Sequence, residues 1–264
     1  MSRKITYRHR NSDKTGDRPA AVRKERIPID PAVQNEYLEG KVLLINKPLH
    51  WTSFDIVRKL RGILQIKKIG HAGTLDPLAT GLLIVCTGAF TKKINDYMAQ
   101  EKEYTGTITL GAVTATYDLE SEPGQPKDYS FVSMDLLKNK LQQFTGDIEQ
   151  LPPLYSAVKK DGVALYELAR KGKEVEREPR KVNVAVFELV KVELPVLHFR
   201  IVCSTGTYIR SLANDLGAAL GCGAYLSSLC RTRIGEFRID DSVSMERLQQ
   251  ELEDSRSERG DESR

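Results

Sequence analysis

Residues 70–81 read GHAGTLDPLATG, placing three glycines and a proline within twelve positions. Punctuation this dense specifies backbone shape rather than bulk, because glycine admits positive φ and lets other groups approach closely. Pro77 holds Asp76 extended, since the residue before a proline is pushed out of the helical region. The flanks say what this loop joins. Thr52 or Ser53 caps a predicted helix running to about Leu64, with Ile56, Val57, Leu60, Ile63 and Leu64 on one face. After the loop, LLIVC at 82–86 predicts a buried strand. A carboxylate presented rigidly between a helix and a core strand suits a reactive group on a scaffold. Asp-Pro also opens ordinary turns, so local physics leaves both roles open for Asp76. Neither GxxxxGK[ST] nor GxGxxG is present, which sets aside a phosphate-binding loop of those types.

Elsewhere, KVLLIN at 41–46 predicts the first core strand, ended by Lys47-Pro48. Residues 66–80 are expected to be loop, 87–98 helix, 104–110 strand, 113–128 loop and 133–143 helix. The stretch 151–180 is mixed and rich in charge. Two strands, 181–193 and 196–204, meet at Leu194-Pro195; a helix follows at 207–220, a strand at 228–239 and a short helix at Ser244–Leu252. Strands and helices do not alternate regularly, so the pattern predicts α+β with a mixed sheet rather than a doubly wound fold.

Charge separates the ends from the middle. Residues 1–26 carry nine Lys/Arg against three acids, and residues 251–264 carry six acids against three arginines. Both are expected to be disordered tails around one domain at 27–250, the first basic and the second acidic. The basic head suits phosphate contacts or simple solvation equally well. Cys86, Cys203, Cys222 and Cys230 form no CxxC pair and have no histidine at ligand spacing, so they read as reduced and structural, with no metal site. No apolar run approaches the roughly 20 residues of a membrane span, which makes a cytoplasmic chain without membrane contact the expectation.

The loop sequence GHAGTLDPLATGLL resembles the catalytic motif of the TruB family of pseudouridine synthases, with its aspartate in a G-x-L-D-P context. Further matches follow in the family's order: KVLLINKPLHWTSFDIVRKLR, KEYTGTITLG at 102–111, LPPLYSAVKKDGVALYELARKGKEVEREPR at 151–180, STGTYIRSLANDLG at 204–217 and LSSLCRTRIGEF at 226–237. The resemblance spans about 41–239. It implies a largely antiparallel central sheet with flanking helices and a catalytic cleft, and isomerisation of uridine to pseudouridine at position 55 in the T loop of tRNA. It also implies a chain lacking the C-terminal RNA-binding (PUA) domain of many bacterial relatives, since only about 25 polar residues follow Arg238. No cofactor or metal is implied, because the base is detached, rotated and rejoined without redox change. The expected partner is the tRNA T-arm, and a monomer is the default.

Residue by residue, the resemblance gives Asp76 as the catalytic carboxylate. It gives Arg210, in GTYIRSL, as the cation that keeps that carboxylate charged in a cleft. Tyr104 matches a pocket tyrosine, able to stack on a flipped base and to move a proton; stacking of that kind contributes about 1–3 kcal/mol, against a flipping cost of a few kcal/mol. Leu229 matches an apolar pocket wall and Tyr208 a support for it, while His71 matches the residue that fills the gap left by the flipped base. The stretch 151–180 matches a mobile arm that grips RNA through Lys159, Lys160, Arg170, Lys171, Lys173, Arg177 and Arg180, with Lys181 at its edge. Two other functions compete with this reading. A non-catalytic RNA-folding chaperone on the same scaffold does not need Asp76. A glycoside hydrolase needs a second acid in a constrained loop, and the sequence shows none.

Overall fold

The computed structural model describes residues 29–156, 158–160, 162–171 and 175–261; the side chains of 159, 160, 164, 170 and 255–261 lie outside this description. The basic head at 1–26 falls outside the described residues, as do Lys173 and the side chains of Lys159, Lys160 and Arg170 within the expected arm.

Nine strands form one sheet: β1 (Val42–Lys47), β2 (Ile69–Ala72), β3 (Ala79–Thr87), β4 (Lys102–Leu110), β5 (Gly146–Gln150), and then, past the short β6 (Lys159–Lys160) and β7 (Val163–Ala164) hairpin, β8 (Arg180–Glu193), β9 (Val196–Cys203), β10 (Ala224–Ile234) and β11 (Phe237–Arg238). The order across the sheet is β1-β3-β10-β4-β9-β8-β5, with β2 on β3 and β11 on β10. Every pairing is antiparallel except β3 with β10, which run parallel over Ala79–Gly81 and Leu229–Arg231. The expected α+β class with a mixed, largely antiparallel sheet is what the chain adopts.

Two halves of the sheet are covered differently, and the sequence periodicity follows from that. β3 is buried along almost its whole length because both of its faces are covered. On one face, Leu83 and Val85 meet Ile56, Val57, Leu60 and Leu64 of α2 (Ser53–Leu64), with α1 (Pro31–Glu39) and Met245 and Leu248 of the terminal helix nearby. On the other, Leu82, Ile84 and Cys86 pack with Ile234, Phe90 and Ile94. A strand buried on both faces reads as a continuous apolar run. β8 and β9 instead alternate. Their inner residues, including Val184, Phe187, Phe199 and Ile201, pack under α4 (Met134–Gln142) and α6 (Ile209–Leu220) through Leu137, Leu141, Leu212 and Leu216.

Several elements depart from expectation. The span 66–80 is not all loop: β2 lies within it and pairs His71 with Val85, a contact made by chain 14 residues away that local glycine content cannot reveal. The span 87–98 divides into a 3-10 turn at Gly88–Lys93 and the short α3 (Ile94–Ala99). The last helix, numbered α7 after the short α5 (Leu165–Arg170), continues from Met245 to Asp261 rather than stopping at Leu252, so the acidic tail is largely helical.

Candidate active site

The 73–78 loop is anchored from below by the junction of β1 and α2. Thr52 caps α2 in a reciprocal capping box with Asp55, which fixes the neighbouring Ser53. Ser53 Oγ accepts from Leu75 N at 2.9 Å, and His50 N donates to Pro77 O at 2.8 Å. Asp76 O accepts from Ala79 N at 3.0 Å, closing the turn that leads into β3. At Gly81 (φ +102°) an added Cβ would sit 2.4 Å from Arg231 O, so the close parallel approach of β3 to β10 requires glycine there.

That approach ends at Ala79 and Leu229, the first parallel pair. Beside it lies a shallow cleft lined by Asp76, Leu78, Ala79, Asp118, Leu226, Ser227, Ser228 and Leu229. The Asp76 side chain is 34% exposed at this cleft, while its partner Arg210 is 7% exposed. Arg210 Nε donates to Asp76 Oδ2 at 2.9 Å and Nη2 donates to Oδ1 at 3.2 Å, a bidentate pair spanning 134 residues of sequence. The remaining donors are used as well: Nη1 reaches Thr116 O and Tyr155 O, and Nη2 also reaches Tyr155 O. The first turn of α6 that carries Arg210 is clamped by Gln150, whose amide donates to Tyr208 O and accepts from Tyr208 N. Burial works against the Arg210 charge, but Asp76 and then Asp118 outweigh it, and the guanidinium is held more firmly protonated than usual.

Asp118 is the residue that sequence reasoning missed. Its carboxylate is 6% exposed and lies 3.6 Å from Arg210 Nε. It sits in the 113–128 loop, where nothing local distinguishes it; only the bridge of Asp118 to Leu226 brings it to the cleft. No second acid in a comparably constrained loop accompanies Asp76; the second carboxylate comes instead from this distant loop. Both carboxylates are tied to one guanidinium, which differs from the facing acid and base of a glycosidase.

The sequence marks Lys47 only as the end of a strand, yet it is fully buried, donating to Pro48 O at 2.9 Å and Trp51 O at 2.6 Å. Burial lowers its pKa to about 8, with Arg231 acting in the same direction and Asp76 against it. Arg231 is likewise buried and donates to Leu82 O and Gly73 O, tying the 73–78 loop to β3.

Of the other expected site residues, Leu229 lines the cleft wall beside Asp76. Tyr104 does not line it: the ring lies in the apolar cluster with Leu75 and Ala79, opposite Arg231 across β4 and β10. Burial raises its hydroxyl pKa, and the Arg231 charge opposes that. Tyr208 is the N-cap residue of α6, two positions from Arg210. His71 lies on β2, with its pKa lowered by burial and by Arg231, so it is neutral near pH 7.

Comparison with known proteins places the chain in one family. A model described as TruB family pseudouridylate synthase (N terminal domain) matches residues 61–209, and one described as tRNA pseudouridylate synthase B C-terminal domain matches 210–263. The chain is 50% identical over 225 residues to tRNA pseudouridine synthase B of Flavobacterium johnsoniae, covering 83% of this chain and 98% of that one. It is 48% identical to the protein of the same name from Parabacteroides distasonis, covering 83% and 95%. Among solved structures, a chain of a Cbf5-Nop10-Gar1 complex superposes with a TM-score of 0.65 at 29% identity over 86% of this chain. A chain of an H/ACA RNP bound to a substrate RNA containing 2′-deoxyuridine superposes with a TM-score of 0.62 at 27% identity over 82%. This chain spans only 61% and 54% of those two solved chains.

Proposed function

The chain belongs to the TruB family of pseudouridine synthases, a family of isomerases, and we propose that it converts uridine 55 in the T loop of tRNA to pseudouridine with Asp76 as the catalytic carboxylate. The observation that carries this is the bidentate Asp76–Arg210 pair at a cleft with one acidic end and apolar walls at Leu78, Leu226 and Leu229.

The reaction breaks the bond between uracil N1 and ribose C1′, turns the base, and forms a bond from C5 to C1′; the C5 proton is released to solvent and N1 takes one up, so the product is an isomer. A uridine in a folded RNA loop must leave its stack to reach Asp76, and the apolar walls receive it. The carboxylate serves as nucleophile toward the sugar or as base in this sequence. Arg210 fixes its orientation and leaves its outer face open to the cleft. Asp118 in turn holds Arg210, so the carboxylate and its cation form one unit with a second acid behind it. We assign Tyr104, in the apolar cluster with Leu75 and Ala79, proton transfer at C5, with the flipped nucleotide displacing part of the cleft wall to reach it. Leu229 contacts the base, Tyr208 braces Arg210, and His71 assists RNA capture as a neutral group. The 151–180 segment closes on the RNA through phosphate contacts. A chaperone role on the same scaffold does not require the Asp76–Arg210 geometry.

The test is release of tritium from tRNA transcript labelled at uridine C5. Wild-type protein is expected to release it and Asp76→Asn to release none. Equal release from both, or none from wild type, would sink the assignment. A transcript lacking the T-arm should release none.

A further inference from the structure

Outside the cleft, the outer face of α2 carries a feature that the fold does not explain. Gly62 lies in the third turn of this twelve-residue helix, with ordinary φ, exposed, and with no atom within 4 Å of where a Cβ would stand. Neither a tight turn nor close packing calls for glycine there. A helix-interior glycine costs about 1 kcal/mol relative to alanine. What the missing side chain leaves is a bare strip of helix backbone facing solvent.

The residues around that strip are basic. Residues 53–68 hold five Lys/Arg (Arg58, Lys59, Arg61, Lys67, Lys68) against one acid, Asp55, and all five are exposed. At 100° per residue, Arg58 and Lys59 flank Gly62 one turn before it, with Arg61 about 100° round the helix on the side of Arg58. Arg58 pairs with Asp55 at 2.6 Å and Arg61 donates to Ile69 O, while Lys59, Lys67 and Lys68 have no ion-pair partner among the described residues. The patch continues across the fold, because Lys68 O accepts from Gly88 N at the start of the 3-10 turn that carries the exposed Lys92 and Lys93. Two acids border this end of the patch: Glu39, whose backbone meets Gly88, and Asp96 one turn further on. The start of α1 also meets this face: Gln34 Nε2 donates to Leu64 O and Gln65 O.

We propose that the outer face of α2, from Lys59 through Gly62 to Lys67, is a docking surface for the sugar-phosphate backbone of the helical stem of the substrate RNA, with Gly62 the point of closest approach. This rests on the reading of the protein as an RNA-acting synthase and names how the RNA is held beyond the flipped base. Phosphate contacts of this kind position a duplex without reading sequence, and a shape-read RNA helix is the partner such a surface fits. A protein partner suits it less: the exposed large apolar side chain of α2 is Phe54, at the opposite end of the helix, and protein interfaces concentrate aromatic and apolar contacts at their centre. The N-terminus of α2 abuts the catalytic loop through Ser53 and Leu75. A stem running along α2 therefore leads into the cleft.

Gly62→Gln provides a test in which fold and binding move in opposite directions. The substitution restores a strong helix former at an open position, so the melting temperature is expected to rise by roughly 2–4 °C. Its affinity for full-length tRNA, read by fluorescence anisotropy, is expected to fall several-fold, with turnover at saturating RNA unchanged. Lys59→Glu/Lys67→Glu is expected to make the slope of log affinity against log salt shallower by about two, one for each phosphate that is no longer neutralised. A T-loop hairpin with its stem cut short should bind both variants and wild type alike. Unchanged tRNA affinity and salt slope in both variants would overturn the proposal, as would a lower melting temperature for Gly62→Gln, which would show that the glycine serves the fold. If wild-type protein releases no tritium, the synthase reading fails, and the anisotropy arm still decides this one.

Discussion

Arg210→Met separates the structural from the chemical use of the buried charge. The environment of Arg210 makes its charge structural as well as chemical. Methionine fills similar volume without the guanidinium, so the Asp118 carboxylate, 6% exposed, loses the cation opposite it. Asp76 at 34% exposure can recover solvent, whereas Asp118 cannot. Thr116 O and Tyr155 O lose their donors too. Breaking a buried charge pair from one side costs about 3–5 kcal/mol, which for a domain of this size is a fall in melting temperature of roughly 6–20 °C. The second perturbation is Arg210→Met/Asp118→Asn. Neutralising the stranded acid should recover most of the lost stability while leaving tritium release at C5 as low as in the single variant, since Asp76 still lacks its bidentate partner. Melting followed by circular dichroism, with single-turnover release at a temperature where all variants are folded, measures both. A single variant that melts within a couple of degrees of wild type would refute the reasoning about Asp118, and a double variant regaining full activity would refute the role of the pair.

Two further perturbations follow from the loop's supports. Lys47 has a folded pKa of about 8 against an unfolded value near 10.5, so its burial penalty is fully present below pH 8 and is relieved as pH rises through 8 toward 10.5, where the unfolded chain holds a proton the folded one has lost. Wild type should therefore gain on Lys47→Met by an amount approaching about 3 kcal/mol over that window, measured by urea melts at each pH; a flat difference would contradict the burial argument. Gly81→Ala forces a Cβ to 2.4 Å from Arg231 O at φ +102°, so a loss of at least about 2 kcal/mol is expected, together with activity at temperatures where the variant is still folded. A variant of normal stability would mean that β3 and β10 can part without cost.

Much of this was legible locally. The capped α2, the buried run of β3 and the Asp76-Pro77 turn are written in residues adjacent to one another, because caps, period and proline act over a few positions. β5 (GDIEQ) was missed because its five residues have weak strand character and are held by pairing with β8, with Gln150 opposite Arg180 and Gly146 opposite Val184. β2 was hidden for the same reason, its glycine-rich sequence reading as loop until it pairs with β3.

By itself the sequence determined that an aspartate would be presented rigidly between a helix and a core strand, and by resemblance which arginine and leucine would accompany it. Only the tertiary structure decided that the cleft opens where the single parallel pairing of the sheet ends, that Asp118 lies behind Arg210, and that Lys47 and Arg231 are buried beneath the loop. The reason is range. Local conformational preference can fix how one acid is displayed, but the charges that surround it come from segments up to 155 residues away and meet only when the sheet brings them together.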